Sequence, residues 1–342
     1  MDSKQRILHY VESHESASGK ELRELLGISR QALSVHLREL IRSGKLVKTG
    51  STRAARYHLP DRTALPAVVS RRLSLGALDE NRAFEDLAIR LNVNTELRPG
   101  VRALLRYAFT EMLNNAIDHS EADTCEVRLA LDAAKVSFQV RDRGIGVFHS
   151  IASKLSLPDE STALIELLKG KTTTAPRRHS GEGIFFTARA ADRLVIRSHR
   201  IQIEWNRERD DVFVSERRHI EGTDVRGEIY RSTRRRLENV FAEFAPEEYN
   251  FEFQKTRIHV RLLKRDYVSR SEAKRLLSNV EKFREVRLDF AEVESVGQGF
   301  ADEIFRVFAE QHPDVEIVPE NVSAPVMAML RHAGYSGPTK SE

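Results

Sequence analysis

The chain has 342 residues, a formal net charge of +4, and 40% hydrophobic against 31% charged side chains. That is the composition of a folded protein long enough for two or three domains, and it excludes a disordered or fibrous chain. No apolar run reaches the roughly 18 residues that a membrane helix needs. The opening "MDSKQRILHY" lacks the apolar core of a signal peptide, and the single Cys125 excludes an intrachain disulfide or a cysteine metal cluster. The expectation is a cytoplasmic protein with no membrane partner.

Charge is unevenly distributed. Residues 1–60 hold four Lys and seven Arg against one Asp and five Glu, while the remainder is close to neutral. A basic surplus confined to one small segment points to a polyanion. Within it, Ile7, Leu8 and Val11 have helical spacing, and Leu22, Leu25 and Leu26 share a face that stops at Gly27. In "ISRQALSVHLRELIRSG", Ser29 is a good N-cap, and Leu33, Leu37, Leu40 and Ile41 form an apolar stripe. "KLVKTGSTRAARYHLP" reads as two short strands around a Gly-Ser turn.

Three helices and a two-stranded wing, with a tight turn before the third helix, resemble the winged helix-turn-helix family. In that family the third helix enters the major groove of double-stranded DNA. The resemblance implies that Arg30, Gln31, Ser34 and Arg38, opposite the stripe, reach bases or phosphates. Lys45, Lys48, Arg53 and Arg56 place charge on the wing.

Residues 61–74 read as a Pro-containing connector, followed by a helix with Ala83, Phe84, Leu87, Ile89 and Leu91 as apolar points. The next helix, "GVRALLRYAFTEMLNNAIDHS", takes its core side from Leu104, Leu105, Ala108, Met112 and Ile117. On another stripe Glu111, Asn115 and Asp118 project together. Oxygen-bearing groups on such a helix are costly without a partner, and Mg²⁺ is a natural one. Two alternating strands, "CEVRLALD" and "KVSFQVR", then run into "DRGIG" at 142–146, a turn whose backbone can approach a flat ligand. Gly181 and Gly183 open a further helix, a setting that suits phosphate.

Glu111-x-x-x-Asn115, Asp142-x-Gly144-x-Gly146 and Gly181-x-Gly183, in this order, resemble the boxes of the Bergerat-fold ATPases, which include gyrase, histidine kinases and anti-sigma-factor kinases. The resemblance spans roughly 75–232, ending near a Gly-Thr pair before the last strand. It implies ATP with Mg²⁺ held by Asn115, Glu111 as general base, and Asp142 as acceptor of the adenine amino group. It also implies that Gly144 and Gly146 shape the pocket, that Gly181 and Gly183 meet the phosphates, and that 147–180 form a mobile lid. Thr173, with its neighbours Thr172 and Thr174, and Arg177 and Arg178 are candidates for the γ-phosphate, and Thr223 belongs to the Gly-Thr pair. Asp118 reads either as a site residue or as a surface acid, and His119 as a capping or packing residue. Residues 59–118 hold no histidine, so a phosphoacceptor helix of the histidine-kinase type is not expected.

The C-terminal segment, 245–336, alternates strands at 257–263, 286–290 and 315–318 with helices at 271–281, 299–310 and 323–333, which argues for an α/β layer structure. "LDFAEVESVGQGFADEIF" is similar to the central motif of STAS domains and their anti-sigma-antagonist relatives. Gln298 stands where those antagonists carry a phosphorylated serine, with Ser295 nearby on the strand side. The fold class is therefore a multidomain α+β and α/β chain: a winged helix (1–60), a Bergerat α/β sandwich (75–232) and a small STAS-like α/β domain. The functional expectation is an ATP-responsive, DNA-binding transcription regulator, a homodimer, with a protein partner on the STAS-like domain and slow hydrolysis if any. The alternatives are a serine/threonine protein kinase of anti-sigma-factor type and a DNA-binding regulator with a vestigial ATP site.

Overall fold

The computed structural model describes residues 2–43, 45–49, 55–59, 67–170, 182–246, 253–262, 266–335 and 337. Three of the candidate residues, Arg53, Thr173 and Gly181, lie outside them, as do Thr172, Thr174, Arg177 and Arg178.

The first unit is built from short-range signals. Helix α1 (Ser3–Ser13) starts at Asp2, whose side chain accepts from the Lys4 N–H. Strand β1 (Ala17–Ser18) leads into α2 (Gly19–Leu26), where Ser18 and Glu21 form a capping box and Gly27 closes the helix at φ 66°. Helix α3 (Arg30–Arg42) is capped by Ser29. Strands β2 (Val47–Thr49) and β3 (Arg56–His58) pair antiparallel, and β1 adds to β3 as a third strand that periodicity did not show. Ile7, Val11, Leu22, Leu33, Leu37, Leu40 and Leu46 form a core of their own.

The second unit starts earlier than its resemblance suggested. The stretch expected as connector contains strand β4 (Ala67–Ser74), which pairs antiparallel with β5 over its whole length. Helices α4 (Glu80–Arg90), α5 (Val93–Glu96) and α6 (Pro99–His119) follow, then β5 (Thr124–Leu131) and β6 (Lys135–Asp142). Helices α7 (Val147–Lys154), α8 (Glu160–Lys169) and α9 (Gly183–Ala190) lead to β7 (Arg193–Asn206) and β8 (Asp211–Tyr230). The five strands make one antiparallel sheet in the order β4-β5-β6-β8-β7. Alternate residues Cys125, Val127, Leu129, Val136, Phe138 and Val140 are buried beneath α6, as period-two patterning requires. The other sheet face carries Glu126, Arg128, Gln139, Arg141 and Arg226.

Two expectations are corrected here. Ile89 is not a core residue: it is 64% exposed, while its neighbours Phe84, Leu87 and Ala88 fill the interface. The stretch expected as a mobile lid is, up to Gly170, a packed part of the domain. Phe148 and Ile151 on α7 and Ala163, Leu164 and Leu167 on α8 all belong to the main core.

Helix α10 (Leu237–Phe244) packs on α9 and on β9 (Lys255–His259), and so joins the second unit to the third. A 3₁₀ turn (Val260–Leu262) and strand β10 (Asp266–Tyr267) precede α11 (Arg270–Leu277), β11 (Glu285–Asp289) and β12 (Ser295–Val296). Helix α12 (Gln298–Asp302) continues through a π-helical turn (Glu303–Phe308) into α13 (Ala309–Gln311), then β13 (Glu316–Glu320) and α14 (Ala324–His332). Strands β9, β11 and β13 run parallel in the order β13-β11-β9. The expected helix 271–281 ends at Leu277 and the strand expected at 257–263 ends at His259.

The second and third units share one continuous hydrophobic core. A buried polar knot also ties them together. Lys169, at the end of α8, has no exposed side-chain surface and pairs with Glu166 at 2.7 Å. Its ammonium also donates to the Ser278 carbonyl at 2.7 Å and to Ser278 Oγ at 2.9 Å. Asn279 Nδ2 donates to Glu166 Oε2 at 3.0 Å, and Thr256 Oγ1 donates to the Lys169 carbonyl at 2.6 Å. Burial pushes the Lys169 ammonium below its usual pKa, and Glu166 pulls it back up. A buried pair of this kind contributes modestly as a pair, but losing one partner strands the other charge in an apolar medium. Lys169→Met is therefore expected to lower the free energy of urea unfolding by about 3–5 kcal/mol. Lys169→Met with Glu166→Leu should recover most of the loss, and equal instability of the single and double variants would show that the ion pair is not the source.

Candidate functional site

Helix α6 is the spine of the site. It presents Glu111 and Asn115 one turn apart, and its last residues meet the loop that follows β6. The Ile145 N–H donates to the Ser120 carbonyl at 2.8 Å. A Cβ at Gly144 would lie 1.7 Å from that carbonyl oxygen, so only glycine fits between loop and helix. Gly146 follows as the N-cap of α7.

This docking places Asp142, 5% exposed, at the end of β6. Its Oδ1 accepts from the Gly144 N–H at 2.9 Å and from the Thr223 N–H at 3.2 Å. Thr223 Oγ1 accepts in turn from the Val147 N–H at 3.0 Å. Burial raises the Asp142 carboxyl above the usual carboxylate range, with Asp224 adding to the shift, and the two N–H donors oppose it. Both of these bonds fall on Oδ1. A buried acceptor beside two glycines is a setting for an amino group on a flat ring.

The other end of the site lies two turns back along α6. Gly183 opens α9, and a Cβ there would come within 2.2 Å of Glu111 Oε2, so a side chain would push the carboxylate aside. The N-terminus of α9, with its free N–H groups, therefore lies against Glu111. Between the two ends sits Asn115, whose Nδ2 is buried with no hydrogen-bond partner among the described residues. A buried amide end without a partner costs free energy, and the two ends of an amide are exchanged by a simple flip. Asn115 thus has the chemistry to present an oxygen to a hard cation or an N–H to a phosphate. A helical rise of 1.5 Å per residue puts about 13 Å between Glu111 and Ser120. That is comparable with the reach from a purine ring to the terminal phosphate of a nucleotide. The donor set fits a Mg²⁺ nucleotide.

The structure brings Glu111 and Gly183 together at one end and Asp142, Gly144, Gly146 and Thr223 at the other, with Asn115 between them on α6. Two participants, Ser120 and His199, have no local sequence signal, and Ser120 contributes only its carbonyl. Gly222, the glycine of the Gly-Thr pair, lies at φ 69° inside the long β8 rather than before it, and a Cβ there would meet the Asp142 carbonyl at 2.4 Å. His199 Nδ1 pairs with Glu160 Oε1 at 2.6 Å, while its Nε2 lies 2.9 Å from the position a Gly146 Cβ would take.

In the first unit, Arg30, Gln31, Ser34 and Arg38 are exposed on α3, opposite the buried Leu33, Leu37 and Leu40. The Arg38 Nε donates back to the Ser34 carbonyl at 3.1 Å. Lys45 and Lys48 are exposed beside and on β2, and Arg56 on β3 donates to Ser16 Oγ at 3.2 Å. In the third unit, Gln298 opens α12 behind the N-cap Gly297, and Ser295 lies on β12.

Comparison with known families agrees with this order. A model of the MarR family matches residues 4–56, a histidine kinase-like ATPase domain matches 81–204, and a STAS-like domain of unknown function matches 272–327. No curated protein matches the chain. A nucleotide-binding fold and a winged helix thus occur on one chain, and no helix among the described residues is long and apolar enough to cross a membrane.

Asp142 has a raised pKa in the folded state, so its contribution is complete below the unfolded value of about 3.9 and is lost as pH rises through the folded value. Asp142→Asn removes that loss. The variant is expected to match the wild type in melting temperature near pH 4 and to exceed it increasingly toward pH 7, while its nucleotide affinity falls at least about tenfold. Melting curves at several pH values and a nucleotide titration check both halves.

Proposed function

We propose that this chain, in which a winged helix, a histidine kinase-like ATPase domain and a STAS-like domain follow one another, is a DNA-binding regulator whose affinity for DNA depends on nucleotide. The observation that carries the reading is the contact of Gly183 with Glu111 on α6 together with the pairing of Asp142 and Thr223 near the C-terminal end of that helix, with the buried Asn115 amide between them. In this reading Asp142 accepts the amino group of adenine, Gly144 and Gly146 give the ring its close approach, and Asn115 ligates Mg²⁺. The metal neutralises phosphate charge when bound. Glu111 orients and deprotonates an attacking water, and the N–H groups at the start of α9 meet the phosphates. On the first unit, Arg30, Gln31, Ser34 and Arg38 enter the major groove with Lys48 on the backbone. A two-fold pair of such units on paired half-sites makes operator spacing the quantity that nucleotide adjusts. The domain limits that go with this reading are a winged helix up to about residue 60, an ATPase unit to about 232 and a STAS-like unit from about 245.

The test is DNA capture by the full chain without nucleotide, with Mg·ADP and with Mg·ATP. Operator affinity should differ between these states, and Asn115→Ala should bind no Mg·ATP and show one affinity throughout. Identical wild-type affinities in all three states sink the gating. Separately, Arg38→Ala should weaken DNA binding and lower the slope of log affinity against log salt by about one, the loss of one phosphate contact. An unchanged slope takes Arg38 off the phosphate backbone.

A further inference from the structure

A second cavity, of about 370 Å³, lies between the β7–β8 hairpin, the ends of α9 and α10 and the β9-β11-β13 sheet. Its position follows from the strand pattern of the third unit. Thr256, Ile258, Val286 and Leu288 face the helices, so Lys255, Arg257, Arg287 and Asp289 share the opposite face. A parallel sheet is normally covered by helices on both faces. Here the polar face meets the hairpin instead, and the gap is lined by Trp205, Phe244 and several charges.

Acidic and basic groups around the gap are balanced in number but unevenly paired. Lys255 pairs with Glu285 at 3.1 Å. Arg287 pairs with Glu320 at 3.0 Å, and Arg257 with Asp289 and Glu320, each at 3.0 Å. Asp211 is taken by Arg261, and Asp210 lies 3.7 Å from Arg257. Arg189 and Arg207 have no carboxylate partner among the described residues. The Arg189 guanidinium lies 3.3 Å from the centre of the Phe185 ring and 4.6 Å from that of Phe244, and among the described residues its one hydrogen bond goes to the Phe185 carbonyl at 3.1 Å. Its charged neighbours are the exposed Glu243 and two further cations, Arg207 and Arg257. Two guanidinium groups without a carboxylate partner among the described residues, Arg189 and the exposed Arg207, thus meet the paired Arg257 at one gap, with Arg189 against two aromatic rings. Cations left without a carboxylate can take an oxyanion, and the planar donor fork of arginine suits phosphate and carboxylate oxygens.

We propose that this cavity binds a small dianionic oxyacid, held by Arg189, Arg207 and Arg257, with any organic part against Trp205 and Phe244. The volume is that of a small-molecule site, and the position between two units is where such sites concentrate. The site is separate from the α6 pocket: it uses the outer end of the sheet hairpin and the third unit, and none of Glu111, Asn115 or Asp142 lines it.

Trp205 is the only tryptophan in the chain, so its emission reports this cavity alone. The full-length protein is titrated with inorganic phosphate, phenyl phosphate and succinate, with chloride at matched ionic strength as the blank. At least one dianion should change the emission saturably below about 10 mM, and chloride should not. A phosphate-specific response identifies a phosphate ligand, succinate a dicarboxylate, and tighter binding of phenyl phosphate than of phosphate places an organic group on the aromatic wall. Arg207 is exposed, so Arg207→Ala should fold normally and bind at least about tenfold more weakly. Asn115→Ala should respond like the wild type, which separates this site from the nucleotide pocket. The proposal is overturned if no dianion gives a saturable change, if Arg207→Ala responds as the wild type does, or if Asn115→Ala abolishes the response.

Discussion

The contact between the Ser120 carbonyl and the backbone at Gly144–Ile145 sets the geometry on which the site depends. Helix α6 carries one set of polar groups and β6 ends in another, and they are separated by more than twenty residues of chain. The Ile145 N–H bond to Ser120, at 2.8 Å, locks one against the other. Because a Cβ at Gly144 would overlap the carbonyl oxygen, the loop lies flush on the helix end, and Asp142 comes to rest at the end of the central strand β6 with Thr223 of β8 beside it. The same helix meets the start of α9 at Glu111. Two close approaches of glycine to α6 thus define both ends of one pocket.

The distribution of cores gives the arrangement a mechanical sense. The winged helix has its own core, whereas the ATPase and STAS-like units share one. Helix α8 spans the shared part. Its first residue, Glu160, holds His199 beside Gly146, and its last, Lys169, is buried in a knot with Ser278 and Thr256 of the third unit. A displacement of the third unit therefore acts on a helix whose other end adjoins the loop that follows β6. Packed contacts transmit small shifts better than flexible linkers do.

Much of this was legible in the sequence where the physics is local. The winged helix was readable because its caps, its Gly27 stop and its apolar stripes are short-range features. Glu111 with Asn115, the turn at 142–146 and Gly183 were readable because each box is contiguous in the chain. Ile89 misled because helical spacing does not say which side of the stripe the core ends on; tertiary packing chose Phe84 and Leu87 instead. Strand β4 was hidden because an edge strand with one solvated face needs few apolar residues. The packed α7 and α8 were missed because a lid was inferred from family likeness, while Phe148 and Leu167 find their partners only across the fold.

The order of the three units and the identity of the polar groups on α6 follow from the sequence alone, since capping, periodicity and glycine punctuation act over a few residues. Only the tertiary structure decided that Gly183 rests on Glu111, that Lys169 is buried against Ser278, and that Arg189, Arg207 and Arg257 face one gap. Those juxtapositions join residues up to about a hundred positions apart, and no local propensity encodes which distant backbone or charge will fill the space beside a side chain.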